Sequence, residues 1–219
     1  MSLLYLSLVG GLVAADNVSM VQSMISRPLA AGILAGTILG DPWVGAEVGA
    51  ILELFLLVAV PAGGGRMPEG GTATIVAVAA AVAAPGAAGF ALGVSGGLIW
   101  GLAGGWSQTR LRIWNGEVVP IPGSGEVTPR SVARAVRIGL LRDYLRGVVL
   151  TAVGGGVAFQ ISPILAPGWP LGEADTASLL LLGGVVSVGI VLRSGGGGRR
   201  ASLLFGAGAL LGMLVGVIA

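Results

Sequence analysis

The side chain best placed for binding chemistry is Glu53, a carboxylate inside an apolar segment. It follows Gly45 and Gly49 at four-residue spacing, so all three share one helix face, and small residues there let two backbones approach closely. A carboxylate on that face can accept two hydroxyl groups of a polyol, and an acid within a membrane is by default a functional hypothesis. The alternative is a structural pair with Arg66, which would recover part of the roughly 3 kcal/mol that a buried acid costs.

A second polar group lies in the glycine- and proline-rich break at residues 61–71, PAGGGRMPEGG, which contains Arg66 and Glu69. Glycine and proline keep this break non-helical, and unwound backbone at membrane depth offers free carbonyl and amide groups as ligands. We therefore expect Arg66, Glu69 and the following Thr72 to contribute to a binding site. An exposed turn carrying a charge pair is the alternative.

A third polar group separates the first two apolar segments and consists of Asp16, Asn17 and Gln22. Asp16 and Gln22 complete the predicted binding set. Arg27 and Asp41 are interpreted as structural, Arg27 as an anchor at the membrane interface. Asp41 is interpreted as a helix N-cap, because aspartate is favoured at that position and the following proline is favoured at the first position of a helix.

The composition identifies the elements that must carry these residues as membrane helices. The chain has 219 residues, of which 54% are hydrophobic and 10% charged, whereas soluble domains carry about 25% charged residues. The 41 glycines indicate closely packed and partly broken helices. The sequence contains no His and no Cys, which excludes disulfides, Cys/His metal sites and a phosphohistidine or phosphocysteine. We predict an all-α integral membrane protein without metal or cofactor.

The first 86 residues contain apolar segments that are short for a membrane span. Residues 2–15 reach about 21 Å at about 1.5 Å per residue, against a hydrocarbon core of about 30 Å, and residues 29–39 and 72–84 are shorter still. This pattern favours re-entrant or discontinuous helices, which need burial in protein or a cavity. Ordinary short helices are the alternative.

The rest of the chain divides by charge. Residues 87–106 predict one full-length span, residues 107–146 a basic cytoplasmic loop with an interfacial helix capped at Thr128, and residues 147–219 three further spans. The arginines of 107–146 and of the RSGGGGRR turn indicate the cytoplasmic side, and the acidic loop near Glu173 indicates the outside. By this count the breaks at Asp41 and Pro85 face outward. The interfacial helix either docks a phosphotransfer partner or lies on anionic lipid.

A family resemblance rests on the pattern R-P-L-x-A, G-x-x-L-G-D and a glycine-rich helix ending in L-E. The matching residues are Arg27, Pro28, Leu29, Ala31, Gly36, Leu39, Gly40, Asp41, Gly49, Leu52 and Glu53. The pattern resembles the IIC permease subunit of the mannose–fructose–sorbose branch of bacterial phosphotransferase (PTS) sugar transporters, clearly over the first half of the chain. The resemblance implies a V-shaped intramembrane element, a multi-pass chain in the bacterial inner membrane, and an oligomeric complex. Its expected partners are a IID membrane subunit and IIA/IIB phosphotransfer subunits, without nucleic acid. Glutamine and histidine are common in that family where Met24 and Ser26 stand here, so the sugar stays open.

The sequence therefore predicts a subunit that binds a hexose-type sugar near the membrane midplane and delivers it for phosphorylation by a IIB partner, without doing the phosphoryl chemistry itself. Two alternatives stay open, the substrate-binding membrane subunit of a phosphate-independent solute or vitamin uptake system, and a membrane scaffold that transports nothing. Compared with the resembled family the chain is short, so we expect a final segment to be missing or supplied by a partner.

Overall fold

The described part of the chain is built from α-helices joined by short connections. The computed structural model describes residues 1–20, 22–57, 66–121, 123, 127–171 and 173–194, together with positions 203 and 207. The helices in chain order are α1 (Ser2–Val18), α2 (Pro28–Leu39), α3 (Pro42–Leu56), α4 (Gly70–Ala83), α5 (Ala87–Gly116), α6 (Pro129–Leu165) and α7 (Glu173–Ser194), with a 3-10 turn at Ala166–Gly168.

Helix length separates two groups of elements. Among the described helices, α5 and α6 are long and apolar enough to cross a bilayer. In contrast, α2 has 12 residues and α4 has 14, which gives about 18 and 21 Å, against about 30 Å for a full span. The all-α membrane class and the short helices of the first 86 residues are confirmed. That these short helices enter the membrane from one side stays a prediction.

Cap residues set two helix starts as the sequence predicts. Asp41 Oδ1 accepts the Val44 N–H at 3.0 Å and begins α3, after Gly40 has ended α2 with a φ of +88° that glycine adopts without strain. At α6, Thr128 Oγ1 accepts the Ser131 N–H at 3.1 Å, and Ser131 Oγ accepts the Thr128 N–H at 2.9 Å. This reciprocal pair is a capping box.

The basic region between the two long helices is more helical than expected. The sequence predicts a span ending at residue 106 and a separate interfacial helix, whereas α5 continues to Gly116 and α6 runs without a break from Pro129 into the apolar segment. Arginine is a good helix former, so the charged stretches simply extend both helices. Arg142 fastens the extensions together, because its Nη1 donates to the Trp114 carbonyl at 2.8 Å. The predicted last span, residues 201–219, lies outside the described residues except at positions 203 and 207.

Helix α4 forms the centre of the bundle. Every residue from Gly71 to Ala81 is buried, and α4 contacts α1, α2, α3, α5 and α6. A helix that is apolar all round is expected in such a position. Its neighbours α2 and α3 form a hairpin in which glycines face each other across the contact. A methyl group added to Gly49 would lie 2.6 Å from the Pro28 carbonyl oxygen, so this close approach depends on small residues, as their spacing predicts.

The short helices give the bundle two chemically different ends. At the end that we call the tip end, the turns at Asp41 and Pro85 line one cavity. At the opposite end, which we call the polar end, lie Arg27, Glu53 and Glu69. On α5, Gly89 packs on Ala84 at the tip end and Gly105 packs on Met67 at the polar end. The 16 residues between these glycines correspond to about 24 Å, against about 30 Å for the hydrocarbon core of a bilayer.

Candidate functional site

A cavity of about 390 Å³ opens at the polar end and is called the polar cavity below. Its volume lies within the roughly 300–1,000 Å³ of small-molecule sites. Its walls come from the end of α1, the connection from α1 to α2, the end of α3 and the start of α4. They consist of Asp16, Asn17, Gln22, Met24, Ser26, Arg27, Pro28, Leu56, Leu57, Pro68 and Gly70.

The connection between α1 and α2 is organised by Asp16. Its Oδ1 accepts the backbone N–H of Ser23 at 2.6 Å and the Ser23 hydroxyl at 2.8 Å, and its Oδ2 accepts the Ser26 N–H at 3.2 Å. Gln22 and Met24 have φ values of 56° and 69°. Left-handed backbone is uncommon for residues other than glycine and concentrates at binding sites. The buried Asp16 carboxylate thus holds two strained residues in the cavity wall.

Glu53 lies next to the polar cavity and holds one of its lining residues. Its Oε1 accepts Arg27 Nη1 at 3.2 Å, and its Oε2 accepts the Leu29 N–H at 3.2 Å, one of the orphan donors at the start of α2. The alternative of a pair with Arg66 is wrong, and Arg66 is exposed. The antiparallel α2–α3 hairpin is the reason, because it brings the last turns of α3 beside the first turn of α2. Arg27, interpreted from the sequence as an interface anchor, lines the cavity.

Glu69 is part of a buried ion network rather than of an exposed turn. Arg146 Nη1 donates to Glu69 Oε2, and Arg146 Nη2 lies 3.3 Å from Oε1. Arg146 Nη2 also donates to Asp143 Oδ1 at 2.8 Å, and Ser19 Oγ donates to Asp143 Oδ2 at 2.5 Å. Ser107 Oγ accepts Arg146 Nη1 at 3.0 Å. We call these five residues the ion network. The alternative of an exposed charge pair at Glu69 is therefore wrong.

Asp143 and Arg146 are the residues that sequence reasoning missed, because it assigned both to the cytoplasmic loop. The sequence pattern that could have identified them is an acid and a base three residues apart, directly before an apolar segment. Residues at this spacing share one helix face, so the two can enter the membrane boundary as an ion pair. Through their hydrogen bonds, Asp143 and Arg146 connect the two walls of the polar cavity. Ser19 belongs to the connection that carries one wall, and Glu69 lies between Pro68 and Gly70 of the other. One turn of α6 thus ties the two walls together.

Thr72 lies apart from the cavity lining. Its side chain is fully buried in α4, and its Oγ1 has no hydrogen-bond partner among the described residues. Thr74, in contrast, donates to the Gly70 carbonyl at 2.8 Å. Of the predicted site residues, the structure brings Asp16 and Gln22 to the cavity and places Glu53 and Glu69 directly behind its walls. Arg66 and Thr72 do not line it.

The chemistry of the polar cavity suits a neutral, polyhydroxylated ligand. The Arg27 guanidinium offers donors, Gln22 and Asn17 offer both donors and acceptors, and Asp16 and Ser26 add acceptor oxygens. Leu56 and Leu57 provide an apolar patch against which a ring can lie. No group of three or more acids that could hold a metal ion occurs in the part of the chain that the structure describes.

Comparison with known proteins gives one family. A family model described as "PTS system sorbose-specific IIC component" matches residues 1–115, which is more than half of the 219-residue chain. The matched part contains every residue that lines the polar cavity, and Asp143 and Arg146 follow it. A search of curated proteins finds no match.

Proposed function

We propose that the polar cavity is the sugar site of this chain, which the match shows to belong to the sorbose-specific IIC family of phosphotransferase-system (PTS) components. The members of this family are the permease subunits that move the sugar. The substrate is a hexose-type sugar. The observation that carries this proposal is the set of hydrogen-bonding side chains around a cavity of suitable size in an otherwise apolar bundle.

The direction of delivery is proposed from charge. Arg130, Arg134 and Arg137 are exposed on the part of α6 that extends beyond the polar end, and arginine-rich segments stay in the cytoplasm. The polar cavity then lies towards the cytoplasmic boundary, about 24 Å from the tip end, rather than at the midplane as expected from the sequence. This position corresponds to a carrier whose sugar site opens inward.

Partner subunits supply the remaining chemistry in this proposal. The sequence has no His or Cys, so a IIB subunit phosphorylates the sugar after it leaves the cavity. The exposed arginines of α6 offer that subunit a docking surface, and a IID membrane subunit completes the translocating complex in the bacterial inner membrane. Family membership favours this function over phosphate-independent vitamin uptake. The vitamin-uptake alternative predicts an ATPase module in the complex, whereas the proposed function predicts a IID subunit.

Sugar titration of the purified membrane complex tests the site. We expect Arg27→Gln to weaken sugar binding about 10- to 150-fold, because hydrogen bonds to charged groups contribute about 1.5–3 kcal/mol. Gln22→Asn keeps the amide and tolerates left-handed backbone but shortens the side chain, so affinity should also fall. Arg130→Gln, an exposed arginine outside the cavity, is the control and should bind sugar as the wild type does.

Two results would contradict the proposal. Unchanged affinity in a stable Arg27→Gln complex would remove the polar cavity as the sugar site. Co-purification of an ATPase module in place of a IID subunit would overturn the assignment of partners.

A further inference from the structure

A second concave surface lies between the extensions of α5 and α6 and is separate from the polar cavity. It is an open groove of about 880 Å³, called the interhelical groove below. Its lining residues are Trp106, Ser107, Arg110, Leu111, Trp114, Glu117, Arg142, Leu145, Arg146, Val149 and Leu150. None of these side chains lines the proposed sugar site, although Ser107 and Arg146 also belong to the ion network behind its walls.

The interhelical groove is apolar at one end, and Arg110, Arg142 and the single acid Glu117 lie towards the other, which leaves a net positive charge there. The two helices run antiparallel here, since Ser107 bonds to Arg146 and Trp114 bonds to Arg142. Val149 and Leu150 therefore lie at the end nearer the membrane-spanning segments. Trp114 and Arg142 lie at the end further from them, about 10 to 12 Å away along the helix.

Two arginines in the groove are available for an anion. Arg146 is occupied by the ion network, but within the described residues neither Arg110 nor Arg142 forms an ion pair with a carboxylate. The Arg110 guanidinium lies over the Trp106 ring, 5.5 Å from its centroid. The side chains of Arg110 and Trp106 are both exposed. Arg142 donates through Nη1 to the end of α5. A guanidinium matches the geometry of phosphate oxygens.

The surroundings of these arginines match one class of ligand. Trp106, Trp114, Leu145 and Val149 are each at least half exposed, and tryptophan is enriched where a membrane helix meets the headgroups. Basic grooves between helices at that level bind acidic lipid headgroups. We propose that the interhelical groove binds an anionic phospholipid, with its phosphate on Arg110 and Arg142 and an acyl chain along Leu145 and Val149. A free phosphate would leave the apolar half of the groove unused.

Fluorescence quenching by brominated lipid tests this proposal, because two of the five tryptophans line the groove. The membrane complex is reconstituted in phosphatidylcholine vesicles that contain brominated phosphatidylglycerol or, in a parallel sample, brominated phosphatidylcholine. We expect phosphatidylglycerol to occupy the groove about 10-fold more tightly, because its net charge is held by charge-assisted hydrogen bonds. Trp106→Phe and Trp114→Phe assign the extra quenching to the groove.

Arginine variants separate a specific site from general attraction to an acidic surface. Arg110→Gln and Arg142→Gln should each reduce the extra quenching, whereas Arg130→Gln, exposed on α6 outside the groove, should keep it. Arg142 also holds α5 against α6. If Arg142→Gln lowers the stability of the protein, the extra quenching in Arg110→Gln alone tests the proposal. Sugar affinity should be unchanged in Arg110→Gln, which distinguishes failure of this proposal from failure of the sugar site.

Three outcomes would overturn the proposal. The first is equal quenching by the two brominated lipids, and the second is an equal loss in the Arg110 and Arg130 variants. The third is protection of Trp106 and Trp114 from both lipids in the complex, because a partner protein would then cover the groove.

Discussion

At the scale of single residues, the acids around the polar cavity act mainly by holding other groups in place. Asp16 already accepts three hydrogen bonds from the α1–α2 connection, and an ionised carboxylate has about four acceptor positions. It therefore has about one position left for a ligand. Glu53 uses both of its oxygens on α2 and Arg27. The proposed sugar site therefore assigns direct recognition of sugar to Arg27 and Gln22 more than to the acids.

Glu53→Gln tests this division of roles. The amide keeps an acceptor for the Leu29 N–H but loses the ion pair with Arg27, which is 48% exposed. Exposed ion pairs contribute about 0–1 kcal/mol, so sugar affinity should fall at most about five-fold, less than in Arg27→Gln. The complex should remain assembled, as measured by thermal unfolding beside a sugar titration. A loss comparable to that of Arg27→Gln would instead show that Glu53 itself binds sugar.

At the scale of elements, two contacts hold the polar end together, the glycine face of the α2–α3 hairpin and the ion network. In the hairpin, backbone packs directly on backbone, so neither helix can move aside to accept a larger residue. In the network, Arg146 joins α6 to α5 and to the start of α4, and Asp143 joins it to the end of α1. Both contacts position cavity walls without touching a ligand.

Gly45→Ala should destabilise the hairpin. The added methyl group would overlap the Gly32 carbonyl oxygen and lie 2.9 Å from Gly36 Cα. Overpacking of this kind costs about 1–3 kcal/mol, and the thermal midpoint should fall. Gly96→Ala is the matched control, because a methyl group there meets no atom within 4 Å. Equal midpoints for the two variants would refute the close contact.

Arg146→Gln should be the most destabilising change at the polar end. It leaves Glu69 and Asp143, which are 2% and 1% exposed, without their cation, and breaking a buried pair costs about 3–5 kcal/mol. Adding Glu69→Gln removes one stranded charge and should restore part of that stability. If the double variant unfolds no later than Arg146→Gln alone, the two side chains are not coupled.

At the scale of the whole molecule, the sequence predicts those features of the fold that depend on residues close together in the chain. The caps at Asp41 and Thr128 and the short helix lengths depend on neighbouring residues, and they are confirmed. The partners of Glu53 and Glu69 were not predictable in this way. Arg146 lies 77 residues beyond Glu69, and only the packing of α5 and α6 against α4 brings them together. The extension of both long helices was missed because charge was interpreted as a loop, although arginine favours a helix.

Topology is tested by single cysteines, since the sequence has none. Trp43 and Pro85 are exposed at the tip end and Arg130 is exposed on the extension of α6. A membrane-impermeant maleimide applied to intact cells should label Trp43→Cys and Pro85→Cys but not Arg130→Cys, as the positive-inside rule requires. The reverse pattern would invert the orientation and remove the docking surface proposed for the IIB subunit.

The ion network also carries a net charge, and a membrane voltage acts on any charge that moves across the bilayer. Its two carboxylates and one guanidinium leave one net negative charge in a layer about 24 Å from the tip end. In carriers with broken helices, one part of the bundle moves against another during transport. An elementary charge that crosses a full potential of 100 mV exchanges about 2.3 kcal/mol with the field. If the proposed transport cycle carries this layer through part of the membrane, that step is electrogenic, and its equilibrium then depends on the membrane potential.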